Sequence, residues 1–239
     1  MLEKLGVGAI FFGAMLINAI TGFAGNLLAM PGTIQLIGMT DAKVVSTIVG
    51  LFSCFIIAMM GIKNVIWHEV TKITLFMIPG IAIGFYLFYT LDLSFLLYIY
   101  GTVIVLIALK SFFTRQGLYK MSLPLLVFVM LCAGLMQGLF VSGGAFVVVY
   151  AVHTFKNKEE FRSTLSVLWV VLNTILLIQE GIAGEITPQN SLLSFYVLIP
   201  SLLGVYFGNR LHHKISGKGF LLLSNILLLI SGIVCFFKV

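Results

Sequence analysis

The sequence predicts an all-α integral membrane protein of two inverted repeats, each a broken re-entrant helical hairpin plus three transmembrane helices. Three observations carry this reading. The 239 residues are 60% hydrophobic and only 9% charged, whereas soluble domains are about a quarter charged. Two apolar runs are too long for one span, and glycine interrupts each. The second half repeats the layout of the first.

The apolar runs are long and separated by turns, so the spans are helices rather than barrel strands. The first run is Leu5–Met39. A straight helix of roughly 35 residues would measure about 52 Å, against a hydrocarbon core of about 30 Å. Glycines weaken a helix at Thr21–Gly25, having most backbone freedom to lose and no side chain to pack. The break leaves limbs Leu5–Ile20 and Asn26–Gly38. The second limb, at roughly 13 residues, is about 20 Å long and too short to cross alone. Runs at Val44–Ile62, Ile73–Leu91 and Phe95–Phe113 complete a first repeat over 1–113, and a polar linker occupies 114–122. The second repeat, 123–239, opens with Pro124–Phe155, again over-long and broken at Ser142–Gly144. Ser163–Ile178, Leu192–Leu211 and Phe220–Phe237 follow.

A shift of about 119 positions lays Asn18 on Gln137, Gly25 on Gly144, Lys43 on Arg162 and Thr47 on Ser166. Ile78-Pro79 meets Ile199-Pro200 slightly further on. Shared order and spacing make this an internal duplication.

Charge selects the topology. If each over-long run crosses once, the two sides carry seven basic residues each and there is no positive-inside bias. If each turns at its break, Lys4, Lys43 and Lys238 share one side. Lys63, Lys72, Lys110, Arg115, Lys120, Lys156, Lys158, Arg162, Arg210, Lys214 and Lys218 share the other. Three against eleven makes the second side cytoplasmic. Asp92, Glu180 and Glu185 then fall in outer loops. The repeats have opposite orientation.

Two hairpins entering from opposite faces can meet at the midplane. Broken backbone survives inside a membrane only where it is buried in protein or lines a cavity. The second limbs begin near Gly25-Asn26 and Gly144-Ala145. A helix N-terminus offers N–H groups and about half a positive charge, so two such ends make an anion site. The candidate binding residues are Asn18, Thr21, Gly22, Gly25, Asn26, Thr47, Gln137, Ser142, Gly143, Gly144, Ser166 and Asn173. Close helix packing is the competing role for the glycines, and interhelical hydrogen bonding for the amides. Lys43 and Arg162 could draw an anion in, or could be interfacial cations that snorkel.

The chain resembles the TauE/SafE family of sulfite exporters and organosulfonate permeases. The resemblance rests on Ile20–Gly25 through Pro31-Gly32, Ala42-Lys43 leading into Ser46-Thr47, Gly138–Gly144, Glu160–Thr164 and the spaced glycines of Pro200–Leu211. One departure is that no proline in Ala145–Ala151 matches Pro31. The resemblance implies a small multi-span transporter of sulfite, sulfoacetate or related sulfonates. A passive anion channel and a non-transporting membrane scaffold or assembly factor are the alternatives.

Other functions find no support. The net charge of +6 sits mainly at run ends, where it signals topology rather than nucleic-acid binding. Cys54, Cys132 and Cys235 lie in apolar runs without CxxC spacing and read as small buried hydrophobes. His68, His153 and His212-His213 have no metal spacing and read as interfacial. Neither a cofactor nor a metal is expected, and no catalytic constellation appears. No span carries a carboxylate at its middle, so proton coupling through a buried acid is not evident. The expected partners are a small anionic solute and the lipid bilayer, with no nucleic acid; a homodimer is left open. The expected location is the bacterial cytoplasmic (inner) membrane, as a multi-pass protein without an obvious signal peptide.

Overall fold

The computed structural model describes residues 2–90 and 121–216, with isolated helical positions between 98 and 109 and between 219 and 233. The expected spans Phe95–Phe113 and Phe220–Phe237, nearly all of the linker, and Cys235 lie outside the described residues. The helices are α1 (Leu2–Thr21), α2 (Gly25–Ile37), α3 (Met39–Gly61), α4 (Trp67–Thr90), α5 (Leu123–Phe140), α6 (Gly144–Thr154), α7 (Lys158–Ile182) and α8 (Pro188–Lys214). No strand occurs among the described residues.

Six of these helices, all but α2 and α6, are long and apolar enough to cross a membrane. Several outrun the apolar stretches that signal them, because polar end residues finish the helix rather than stop it. Asn157 Oδ1 accepts the Glu160 N–H at 2.8 Å, so α7 starts five residues before Ser163. Thr187, just before α8, and Asn190, in its first turn, bond each other's backbone N–H. Such caps satisfy donors that the first helical turn leaves free. The same extension carries α7 past Ile178 to Ile182 and takes Glu180 with it. Glu180 is therefore not a loop residue: it is fully buried on a helix.

The contact register gives the direction of each helix. Gly25 faces Asn18 and Met15, Gly32 faces Ile10, and Gly6 faces Leu36, so α2 runs back along α1. Asn26 approaches Gly50 while Met30 accepts from Ser46, so α3 reverses again. Along α1 and α8, Gly8 meets Pro200, Gly204 meets Phe12 and Leu16, and Gly208 meets Leu16 and Ala19. These two helices are parallel. So are α4 and α5, where Gly80 meets Leu131 and Gly134 and Gly138 meets Ile81 and Phe85. In contrast α3 and α7 are antiparallel, with Gly61 on Ser163 and Thr47 on Glu180. Thus α1, α3 and α8 point one way and α4, α5 and α7 the other.

The ends sort into two faces. On one, Asn190 donates to Asp41 at 3.0 Å and Tyr89 to Glu185 at 2.6 Å. On the other, the Ile66 N–H reaches Thr164 at 3.0 Å and Lys158 reaches the carbonyls of His212 and Ile215 at 2.7 and 2.8 Å. The apolar core has two main clusters, and the larger takes in Phe23, Leu27 and Met30 of the first hairpin. One cluster draws on α1, α2, α3 and α8, through Phe11, Met15, Val49 and Val205. The larger cluster runs through α4, α5, α6 and α7, with Met77, Met130, Val147 and Leu168. Large apolar side chains such as Ile83, Phe128, Phe195 and Ile199 point outward, as spans in lipid require. Trp67, Tyr86 and Tyr89 are also exposed, as aromatic side chains at a membrane interface are.

Candidate functional site

The two breaks have one backbone trace. Gly22 has φ +83° and Val141, which lies 119 positions later, has φ +52°. Each donates its N–H to the carbonyl four residues back, Asn18 at 2.7 Å and Gln137 at 3.0 Å. The next helix is entered through Ala24 in one case and Gly143 in the other, both in the right-handed region. Positive φ is free for glycine and strained for a β-branched residue.

The side chains repeat as well. Asn18 Oδ1 accepts the Gly25 N–H at 3.3 Å, and Gln137 Oε1 accepts the Gly143 N–H at 3.0 Å. The backbone N–H donor shifts by one residue, from the equivalent of Gly144 to Gly143, matching the extra methylene of glutamine. The other end of each amide reaches a residue 36 positions on: Asn18 to the Cys54 thiol at 3.4 Å, Gln137 to Asn173 Oδ1 at 3.1 Å. A thiol is a weak acceptor, so the Asn18 amide is the poorly used donor.

The breaks touch. A Cβ on Gly144 would lie 2.8 Å from the Phe23 carbonyl oxygen, so only glycine allows this approach. Trp169 Nε1 donates to the Gly22 carbonyl at 2.7 Å. Between the breaks and the middle turns of α3 and α7 lies a small, partly open cavity. Asn18, Phe23, Asn26, Gly50, Cys54, Gln137, Val141, Ser142, Gly144, Trp169 and Asn173 line it. The Asn26 side chain donates to Ser46 O at 3.4 Å, while its Oδ1 is buried without a partner.

Of the candidates from sequence, Asn18, Asn26, Gln137, Ser142, Gly144 and Asn173 come together here. Gly22, Gly25 and Gly143 build the breaks behind that lining. Thr21 is buried and bonds its own helix at Ile17. Ser166 bonds its own helix at Arg162, and Thr47 bonds Glu180 at 2.9 Å. Lys43 and Arg162 are buried and stand outside the lining; neither snorkels to an interface. Arg162 donates to the Ala19 carbonyl at 3.0 Å and to Asn209 at 2.7 Å. His212 is likewise buried, 2.8 Å from the Ile20 carbonyl. Both hold free carbonyls at the end of α1 that an interfacial side chain could not reach. Cys132 is half-buried rather than buried. Phe23, Gly50, Val141 and Trp169 are additions the sequence did not single out, and Cys54, read there as a small buried hydrophobe, joins them in the lining. The positions of Cys54 and Gly50, 119 before Asn173 and Trp169, are the signal that could have found them.

A family model described as "Sulfite exporter TauE/SafE" matches residues 7–235. The chain belongs to the TauE/SafE family. Members are membrane transporters and not enzymes, so the chain is a multi-pass membrane transporter of the sulfite-exporter type. No curated protein and no solved structure matches it.

Proposed function

We propose that this TauE/SafE protein moves a small sulfur-containing anion, such as sulfite, sulfoacetate or a related organosulfonate, through the cavity between the two breaks. The observation that carries this reading is the meeting of two equivalent helix starts, at Gly25 and Gly144, on one polar cavity at mid-helix. Both helix N-termini point partial positive charge toward it. Among the described residues no carboxylate lines it, and five amide or hydroxyl side chains do: Asn18, Asn26, Gln137, Ser142 and Asn173. That balance favours an anion over a cation.

The wider architecture follows from helix direction. The residues 1–113 and 123–239 form two inverted repeats joined by a cytoplasmic linker at 114–122. In support, α1 and α5, α3 and α7, and α4 and α8 are matched by the 119-residue shift and point in opposite directions. The hairpins α1–α2 and α5–α6 are re-entrant, since α2 and α6 have only 13 and 11 residues. The protein sits in the bacterial cytoplasmic membrane, with the face carrying Lys63, Lys158 and Lys214 inward.

The test is saturable uptake of radiolabelled sulfite by liposomes holding the purified protein. Thermal-shift titrations with sulfite, thiosulfate, sulfoacetate and carboxylates run alongside it. Saturation, with stabilisation by sulfur oxyanions but not by amines or neutral sugars, is expected. Flux that rises without limit supports a channel. No flux at all supports a scaffold.

A further inference from the structure

A second polar cluster lies away from the cavity, at the face that carries Glu185. Lys43 on α3 is fully buried, with its Nζ 4.2 and 4.0 Å from the ring centres of Phe85 and Phe88 on α4. Its only ion-pair partner among the described residues is Glu185, at 3.9 Å, which is too long for a hydrogen bond. One turn along α3, Thr47 donates to Glu180 Oε1 at 2.9 Å. Tyr89, exposed at the end of α4, donates to Glu185 Oε1 at 2.6 Å. Three buried atoms of this cluster then have no hydrogen-bond partner among the described residues: Lys43 Nζ, Glu180 Oε2 and Glu185 Oε2.

We propose that Lys43, Glu180 and Glu185 form a proton-binding site, separate from the anion cavity, with Glu180 Oε2 as the acceptor. Two carboxylates face one ammonium, leaving one negative charge uncompensated among α3, α4 and α7. An unpaired buried charge is costly. Among the described residues the surroundings do not cancel it. Asp41 on α3 is acidic and already accepts from Asn190 of α8, α4 contributes the neutral Tyr89, and α7 adds only Glu180. A single proton removes the excess charge. Thr47 already serves Oε1, so the proton belongs on Oε2. A hydronium ion gives up its proton to the carboxylate and leaves as water, and no other bond changes. Glu185 and the exposed Tyr89 supply the route to the medium.

The site is placed to be felt at the cavity. Thr47 is three residues from Gly50 and seven from Cys54 on α3, and Glu180 is seven from Asn173 on α7. Seven residues are two turns, or about 10 Å. It also occurs once. The positions 119 before Glu180 and Glu185 are Gly61 and Ile66. Arg162, the counterpart of Lys43, is satisfied by a carbonyl and an amide.

Infrared difference spectra of the full-length protein test this with no sulfur anion present, so the result does not depend on the transport reading. The pH is stepped from about 9 to about 5, between lysine and ordinary carboxylate titration. We expect one protonated-carboxyl C=O band to appear, to vanish in Glu180→Gln, to return in Glu180→Asp and to persist in Glu69→Gln. Glu69 is the buried acid held by Tyr150 on the other face. If Glu180→Gln does not fold, Thr47→Val decides, since loss of the Oε1 donor must move the band. Absence of the band in the unmutated protein, its survival in Glu180→Gln, or an unmoved band in Thr47→Val overturns the proposal. So does a titration that shifts when choline chloride is replaced by sodium chloride, which would mean a sodium site. Lost sulfite flux with an intact band would count against the transport reading alone.

Discussion

The two breaks share a backbone and differ in almost every residue that makes it. Gly22 and Val141 occupy one position with positive φ in both. Asn18 and Gln137 both cap the following helix. The partners beyond them are a thiol in one half and an amide in the other. The turn is thus imposed by what surrounds it rather than by local preference. In the first break glycine is required for a second reason: a Cβ on Gly22 would lie 2.9 Å from Arg162 Cα. In the second, a valine side chain faces the cavity, and the surrounding contacts outweigh the strain of its backbone.

Membrane topology distinguishes the two halves all or none. Single cysteines at Asn157 and Gly184 should label from opposite sides with an impermeant reagent in cells. A cysteine at Gln116 in the linker should label with Asn157. Finding Gln116 and Asn157 on opposite sides would restore a parallel arrangement in which each over-long run crosses once. Next in size is the exchange of the two positive-φ residues. Gly22→Val adds a strained backbone, about 1–3 kcal/mol, and a clash with the backbone of α7. It should abolish folded protein in fluorescence-detected gel filtration. Val141→Gly should fold, since it removes strain while losing a side chain at the cavity wall.

Smaller effects should separate binding from folding. Asn18→Leu and Gln137→Leu each delete a donor near the solute and a helix cap. A hydrogen bond to a charged solute is worth roughly 1.5–3 kcal/mol, or about 10–150-fold in affinity. Both variants should bind sulfite more weakly by that order. Gln137→Leu should also lower the thermal midpoint more, because it strands both the Gly143 N–H and Asn173 Oδ1. Gly144→Ala pushes on the Phe23 carbonyl and should weaken binding too. Unchanged affinity with reduced folded yield in all three would return these residues to packing alone.

Much of this was legible in sequence because it is local or repeated. The apolar runs, the broken limbs and the pairing of Asn18 with Gln137 needed only composition and a fixed shift. What was hidden depends on contacts between distant segments. Lys43 and Arg162 look like interfacial cations until α4, α7 and α8 close over them. Glu180 looks like a loop residue because apolarity fades at Ile178, while the helix runs on to Ile182. Trp169 is an ordinary apolar residue in its run; only the approach of Gly22, 147 positions away, gives its N–H a partner.

The smallest expected difference tests whether the equivalence extends to the residues 36 positions on. Cys54 and Asn173 receive the same kind of donor, but the thiol at 3.4 Å is a weak acceptor and the amide at 3.1 Å a good one. Cys54→Ser offers Asn18 a better acceptor in a slightly smaller side chain. The gain in hydrogen bonding and the loss of packing nearly cancel, so the thermal midpoint should change by less than about 1 kcal/mol in equivalent stability. Asn173→Leu leaves Gln137 Nε2 buried without its acceptor and should cost about 1–3 kcal/mol. Thermal unfolding of the two variants side by side reads this directly. Equal losses would mean that Asn18 depends on its thiol as heavily as Gln137 depends on its amide. The Asn18 amide would then be as firmly engaged as its counterpart, and the first break would hold no under-used donor to offer a solute.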